Sequence, residues 1–424
     1  MSTAINCHRS THRPRVIRRF VESFDPELER TMPWAGTRAV VVDGPNVREI
    51  YAVAAPRLDA GSQPTVSESL QEQAERAFER LSDLLQRLDA SLQDIVTLDV
   101  YIQARKDQCR LVEQLIPAFV PEGCPREVLL VNPVHPDLKV TLQAYVIRPH
   151  SGVPFHRRPV AVDPEWDVWG VELKYGGFRH YFVTGIPGAG ASGNTLRAHC
   201  DRMFQRAQKA LEQEGFSIQD VPRTHLYYAG PYQDLRDARH KYFDEQQVTD
   251  EQLPASTGVP AIPRYGRAVM RFYAVQSLGD VPLINRRVDP RTQSQAFDYG
   301  SLFARARWIE TDVARLEVSG TASMGRNGKV VYKRKPKQQA IKTRTNVMDL
   351  VHRCGLTAED LVRHIVYVCK PHHLDPWWDD IKACSPGGKP CGVISAVEAG
   401  VCWQDLTIEE EATAVSLRRP SNLG

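Results

Sequence analysis

No stretch of 18 consecutive apolar residues occurs in this 424-residue chain, so no segment is expected to span a bilayer. Neither sign of charge is in marked excess. Fifty-four Lys and Arg against 51 Asp and Glu leave +3, which argues against a nucleic-acid partner, because such proteins carry a basic surplus on one face. C-x-x-C spacing is absent, and the nine cysteines are odd in number and scattered. That excludes a disulfide scaffold or a structural zinc site and suits reduced thiols in a cytoplasmic protein. The tandem His372-His373 beside Pro371 has no second ligand pair at helical spacing and reads as loop surface. G-x-S-x-G is absent, and Gly188-Ala189-Gly190-Ala191-Ser192-Gly193, which has G-x-G-x-x-G spacing, is not followed by Lys-Ser/Thr. Gly185-Ile186-Pro187-Gly188-Ala189-Gly190 reads as a strand-end loop, and no metal or nucleotide cofactor is indicated. The start of the chain carries His8, Arg9, His12, Arg13, Arg15, Arg18 and Arg19 without the apolar stretch of a secretory signal, and reads as a solvated arm.

What is present is a repeat. Ser91-Leu92-Gln93-Asp94-Ile95 leads to Val100-Tyr101, Ser217-Ile218-Gln219-Asp220-Val221 to Leu226-Tyr227, and Thr357-Ala358-Glu359-Asp360-Leu361 to Val366-Tyr367. The aspartates lie 126 and 140 residues apart, so the repeating unit is a domain and not a solenoid turn. A helix precedes each copy. In the first unit Leu70, Ala74, Ala77, Phe78, Leu81, Leu84, Leu85 and Leu88 recur at i, i+3, i+4 spacing. The Ser/Thr-x-x-Asp turn then opens a strand ending at the tyrosine, and each unit closes on a last strand: Val140–Val146, Val269–Val275 and Leu406–Val415. Further strands open the units at His180–Gly185 and Arg315–Gly320. A sheet covered by helices on one face must use the other, and three such layers in one chain are expected to pack as an intrachain pseudo-trimer with ligand clefts between units. The expected boundaries are an extension over 1–45, units over 46–150, 165–278 and 314–424, and a connecting segment over 279–313. Further assembly into a homo-oligomer stays open.

The helix, the Ser-Leu-x-Asp-Ile-Val turn, the strand ending in Val-Tyr and the Cys124-Pro125-Arg126 run before the final strand resemble the RidA/YjgF family, whose small α+β domains form trimers. The second and third units together are similar to the chorismatases, hydrolases built from YjgF-like domains. That resemblance rests on Arg223-Thr224-His225-Leu226-Tyr227-Tyr228, Leu253–Val259, Ser294–Ala306, Ser319-Gly320-Thr321-Ala322-Ser323, and Val401–Leu406 followed by Ile408-Glu409-Glu410-Glu411-Ala412. It implies an α+β fold of three tandem RidA-like domains and a cofactor-independent hydrolase or lyase acting on a small anionic substrate. Two departures point toward a substrate related to chorismate: Met324-Gly325-Arg326 follows the Ser-Gly-Thr-Ala-Ser run where the family has Gly-His, and Lys342 replaces a glutamate.

Strand alternation puts Glu409 and Glu411 on one face and Glu410 on the other. Two carboxylates in one cleft would leave one protonated near neutral pH, a general acid. The resemblance places a functional glutamate on this strand, and the sequence does not choose between Glu409 and Glu411. In the other units the matching positions are read as Thr141 and Gln143, and as Arg271 and Tyr273, so at most one cleft is fully equipped. For a dicarboxylate, Arg305 and Arg271 are the expected clamps, Tyr299, Ser319 and Thr321 the positioning groups, and Cys402 a neighbour of the acid. Arg126 is the RidA-type carboxylate-gripping arginine, with Ser256 and Gly392 read at its place in the other units. An imine or enamine deaminase would need Arg126 within reach of a cleft carboxylate. A non-catalytic ligand-binding protein would open the Glu409 face to solvent. Lys329, Lys333, Arg334, Lys335, Lys337 and Lys342 form a basic run that would attract an anion if it lay beside the cleft.

Overall fold

The computed structural model describes residues 17–21, 36–56, 69–103, 106–384 and 391–416. The fold is mixed α+β with three sheets. The first sheet contains β1 (Ile17–Val21), β2 (Arg38–Asp43), β3 (Val47–Ala54), β4 (Ile95–Ile102), β5 (Arg126–Leu130) and β7 (Val140–Pro149), in the order β1-β2-β3-β7-β4-β5; the short β6 (Asn132–Pro133) leaves it. The second contains β8 (His156–Asp163), β9 (Val168–Tyr175), β10 (Phe178–Pro187), β11 (Arg223–Tyr228), β12 (Ala255–Pro260) and β14 (Ala268–Ser277), with β13 (Ile262–Pro263) leaving it, in the order β12-β11-β14-β10-β9-β8. The third contains β15 (Ile284–Arg287), β16 (Ala306–Glu310), β17 (Ala314–Ala322), β18 (Leu361–Val368), β19 (Val393–Glu398) and β20 (Ile408–Val415), in the order β15-β16-β17-β20-β18-β19. All three share one topology. The last strand is central, flanked antiparallel by the opening hairpin and by the strand after the repeated turn, which pairs in parallel with the edge strand.

Each sheet carries two helices on one face: α1 (Leu70–Arg87) and α2 (Lys106–Phe119), α3 (Leu196–Gln213) and α4 (Tyr232–Glu245), α5 (Pro336–Arg353) and α6 (Asp375–Cys384). The apolar stripe read from Leu70 to Leu88 packs on Ile50, Leu98 and Leu142, and the other helices bury equivalent stripes. The repeated turns are superposable hydrogen-bonded boxes. Asp94, Asp220 and Asp360 each accept from the backbone N–H of Ser91, Ser217 or Thr357 at 2.8 Å and from its hydroxyl at 2.9–3.1 Å. That is why this tetrapeptide recurs: it satisfies the donors of the turn that launches each strand.

The helix-free faces meet one another. One end of this junction is apolar, with Val40, Tyr145, Phe182, Tyr273, Ile309 and Val415 drawn from all three sheets. At the other end the three repeated tyrosines, Tyr101, Tyr227 and Tyr367, converge in one buried cluster. Buried ion pairs between the two ends tie each sheet to each other sheet: Arg271 with Asp99, Arg223 with Glu411 at 2.8 Å, and Arg315 with Glu49 at 2.5 Å. Short strands cross the boundaries as well. β13 pairs with β5, β6 with β19, and Ala304 bridges to Ala255 of β12.

Several expectations need adjustment. Arg38–Asp43, within the stretch read as an extension, is a buried strand of the first sheet, and Ile284–Arg287 and Ala306–Glu310 of the expected connecting segment pair into the third. Alternation was invisible in Ala39-Val40-Val41-Val42 because both faces are buried, so the run is continuously apolar. His373 is buried and not on a loop surface. The arm over residues 1–16 lies outside the described residues.

Candidate active site

Strand register gives an internal alignment that sequence spacing did not. Tyr101 faces Thr141, Tyr227 faces Val269, and Tyr367 faces Glu409. The equivalents of Glu409 are therefore Thr141 and Val269, and those of Glu411 are Gln143 and Arg271. The reading of Arg271 and Tyr273 in the second sheet was two residues out of step. The same register corrects the counterpart of Arg126 in the third sheet from Gly392 to Ile394, while Ser256 keeps its place.

The three consecutive glutamates of β20 are all buried, in three different environments. Glu410 points to the helical layer, where it accepts from Arg344 at 3.1 Å and Trp377 at 2.7 Å and lies 2.9 Å from His364 Nδ1. Burial opposes its charge, and these partners overcome that and hold the carboxyl below its usual range. Glu411 points to the junction of the sheets. It accepts from Arg223 Nη2 at 2.8 Å and lies 2.8 Å from His225 Nε2, which together hold it well below the ordinary carboxylate range despite burial. Glu411 is thus a fixed anion. Glu409 faces a cleft between β17 and β20 of the third sheet and β12 and α4 of the second. Burial, and secondarily Glu411, push its carboxyl up to about 8, against the opposing pull of Arg305 and Arg223. Of the two glutamates on the inward face, burial favours the protonated form of Glu409, whereas ion pairing favours the charged form of Glu411.

Backbone geometry makes room for that carboxyl. A β-bulge interrupts the β17–β20 ladder between Val318 and Thr321, as another does between Val183 and Ile186 in the second sheet. A Cβ on Gly320, inside the bulge, would sit 1.9 Å from Glu409 Oε1, so only glycine accommodates the carboxyl where it lies.

Around Glu409 the cleft is lined by Arg305, Tyr299, Cys402, Trp403, Phe303 and Arg239. Arg305 is 2% exposed and pinned: Nε donates to Ser294 O at 3.2 Å and Nη2 to the Tyr299 hydroxyl at 2.5 Å. Tyr299 in turn meets Trp403 edge to face at 6.1 Å. Cys402 donates to Gly258 O at 2.7 Å and accepts from Tyr228, and burial with Glu409 pushes its thiol up, so it is a neutral thiol beside the acid. Arg239 was missed. It projects from α4, with its guanidinium 5.6 Å from the Phe303 ring and that of Arg305 5.4 Å from the same ring, so two cations flank one aromatic wall. The acidic and polar residues around it in α4 make it look like a surface helix member, yet it is 2% exposed and its Nε has no protein acceptor.

The other expected residues lie elsewhere. Arg271 is bound to Asp99 at the junction of the sheets and does not line this cleft. Ser319 and Thr321 serve the backbone: Ser319 accepts from Ser256 N at 2.8 Å and donates to Ala304 O at 2.5 Å, and Thr321 donates to Ser319 O at 2.9 Å. Of the two, Ser319 fixes the seam between β12 and β17. Arg126 is bound to the loop carboxylate of Asp167 at 2.5 Å, away from Glu409. No residue of the basic run lines the cleft: Lys333 pairs with Asp405 at 2.6 Å, and Lys342 donates to Thr292 O at 2.9 Å.

This architecture has a solved counterpart. A chorismatase crystal structure superposes with a TM-score of 0.56 over 87% of this chain and 99% of its own, at 17% sequence identity. Single-sheet structures cover 31% of the chain: YyfA from Yersinia pestis, a Rid-family protein of unknown function (TM-score 0.27, 16% identity, 99% of its length), and yeast Mmf1 (0.26, 17%, 98%). No family model matches the chain, and no curated protein matches it. The chain thus shares its fold with that chorismatase structure, a likeness of architecture and not of activity.

Proposed function

We propose that this protein is a chorismatase-like, cofactor-independent hydrolase or lyase that acts on chorismate or a related small dicarboxylate, with Glu409 as the general acid. On this reading the three RidA-like units form an intrachain pseudo-trimer, and only the cleft between the second and third units is equipped, because Thr141 and Val269 stand where Glu409 does. The observation that carries it is a buried carboxyl, Glu409, lining the same cleft as the two buried guanidiniums of Arg305 and Arg239.

Chorismate is an enol ether bearing two carboxylates. Proton delivery from Glu409 to the vinyl carbon leaves an oxocarbenium ion that water captures, and the resulting hemiketal breaks down to release pyruvate. Arg305 and Arg239 take the two carboxylates, with Tyr299 fixing the angle of Arg305. The ionised Glu411 disfavours loss of the Glu409 proton before the substrate receives it. A RidA-type deaminase is not supported, since Arg126 is occupied by Asp167 and has no acid on the adjoining central strand. A solvent-open binding face is not supported either, since Glu409 is 6% exposed.

Incubation with chorismate and measurement of pyruvate is the test. Turnover is expected, and no pyruvate from chorismate or from related enol-pyruvyl carboxylates would refute the reading. Because only protonated Glu409 is competent, kcat/KM should be flat below about pH 7 and fall about tenfold per unit above pH 8. Arg305→Met should raise KM by about 30-fold or more, since a desolvated charge pair is lost, while thermal stability changes little.

A further inference from the structure

The Glu409 cleft does not use a second space, a half-open chamber of ≈ 50 Å³ where the three sheets face one another, with the half-buried Thr97 and Arg363 at its edge. Four guanidiniums line it, Arg223 and Arg271 from the second sheet and Arg315 and Arg363 from the third, with Thr97 of the first sheet and one carboxylate, Glu317. The carboxylates that balance three of these cations, Glu411, Asp99 and Glu49, are bound to them from within the wall and do not line the chamber. Glu317 lies 3.6 Å from Arg363 and 4.0 Å from Arg223, and its Oε2 accepts from Thr413 at 3.0 Å.

The hydrogen-bond inventory is lopsided. Arg223 Nε and Nη1, Arg271 Nη2, Arg315 Nε and Arg363 Nε are buried donors with no acceptor in the protein. A guanidinium has donors only, and a buried donor left unmet is costly, so what fits among these groups is a guest that only accepts. Water both donates and accepts, whereas a small anion offers acceptors in every direction. The chamber admits one guest of a few heavy atoms and excludes a larger oxyanion with its hydration shell.

We propose that this chamber is an anion site that holds one halide or one small monoanion of the nitrate or formate type between Arg223, Arg271, Arg315 and Arg363. It cements the junction of the three sheets and is separate from the Glu409 cleft. The proposal is independent of the assignment of the reaction.

Crystals of the wild-type chain grown in bromide, with data collected at the bromine absorption edge, test it directly. An anomalous peak inside the chamber, within contact distance of at least two of the four guanidiniums, is expected. In parallel, thermal unfolding at fixed ionic strength, with gluconate progressively replaced by bromide or nitrate, should give a rise in Tm that saturates, while citrate gives none. Thr97→Leu, which fills the chamber from its wall, should abolish the saturable rise. Water alone in the chamber, with bromide confined to the protein surface, would overturn the proposal. So would a Tm that follows ionic strength whichever anion is supplied.

Discussion

Glu409→Gln is expected to lower kcat on an enol-pyruvyl substrate by about 10²–10⁴-fold, the range lost when a positioned general acid is removed, while KM changes little. Glutamine keeps the shape of the side chain and the contact with the Gly320 backbone but has no transferable proton. The folded protein should be no less stable, because the wild-type carboxyl makes no ion pair among the described residues and is neutral through most of the physiological range. Loss of activity with Tm unchanged or raised separates a chemical role from a structural one. Equal activity in wild type and Glu409→Gln would remove the acid from the mechanism even if the substrate were right.

Arg223→Met should destabilise the fold far more than Glu409→Gln or Arg305→Met, by about 3–5 kcal/mol in chemical denaturation, because it takes the guanidinium from the buried Glu411 and leaves that charge with His225 alone in contact. Arg223 also donates to Thr257 at 2.7 Å, and Thr257 accepts from Gly320 N at 2.9 Å, so the same guanidinium supports the bulge beneath Glu409. Replacing both ends of the pair, as Arg223→Met with Glu411→Leu, should restore much of the stability, since no unpaired charge remains. Equal destabilisation of the single and double variants would mean that the contribution of Arg223 runs through Thr257 and not through Glu411.

How much of this was legible in the sequence depended on the kind of regularity involved. The repeat, its helices and its central strands could be read because turn chemistry and helical periodicity are local, and Asp94, Asp220 and Asp360 perform one local task three times. The alternation of Glu409, Glu410 and Glu411 was equally legible. The choice between Glu409 and Glu411 was not. Residues two apart on a strand share a face but lie roughly 6–7 Å apart along it, and in β20 that distance separates a cleft from an ion-paired junction. Arg271 was drawn into the site because it stands two residues along β14 from Val269, the counterpart of Glu409, whereas its partner Asp99 is 172 residues away. Arg239 was passed over because an arginine in a polar helix looks solvated, and only the packing of α4 across the boundary onto Phe303 reveals otherwise. Ser319 and Thr321 carry a family-like motif, yet their hydroxyls are consumed by backbone partners that sequence spacing cannot supply.

The central claim is that one carboxyl in the inward face of β20 holds its proton at neutral pH. Carbon-13 NMR of the wild-type chain labelled at glutamate side-chain carboxyls, compared with Glu409→Gln across a pH series, tests it most directly. Two resonances should titrate with midpoints near 8, those of Glu409 and the buried Glu127, and only the first should be missing from the variant. If the resonance that disappears in Glu409→Gln titrates near 4.5, with the ordinary exposed glutamates, the account is contradicted.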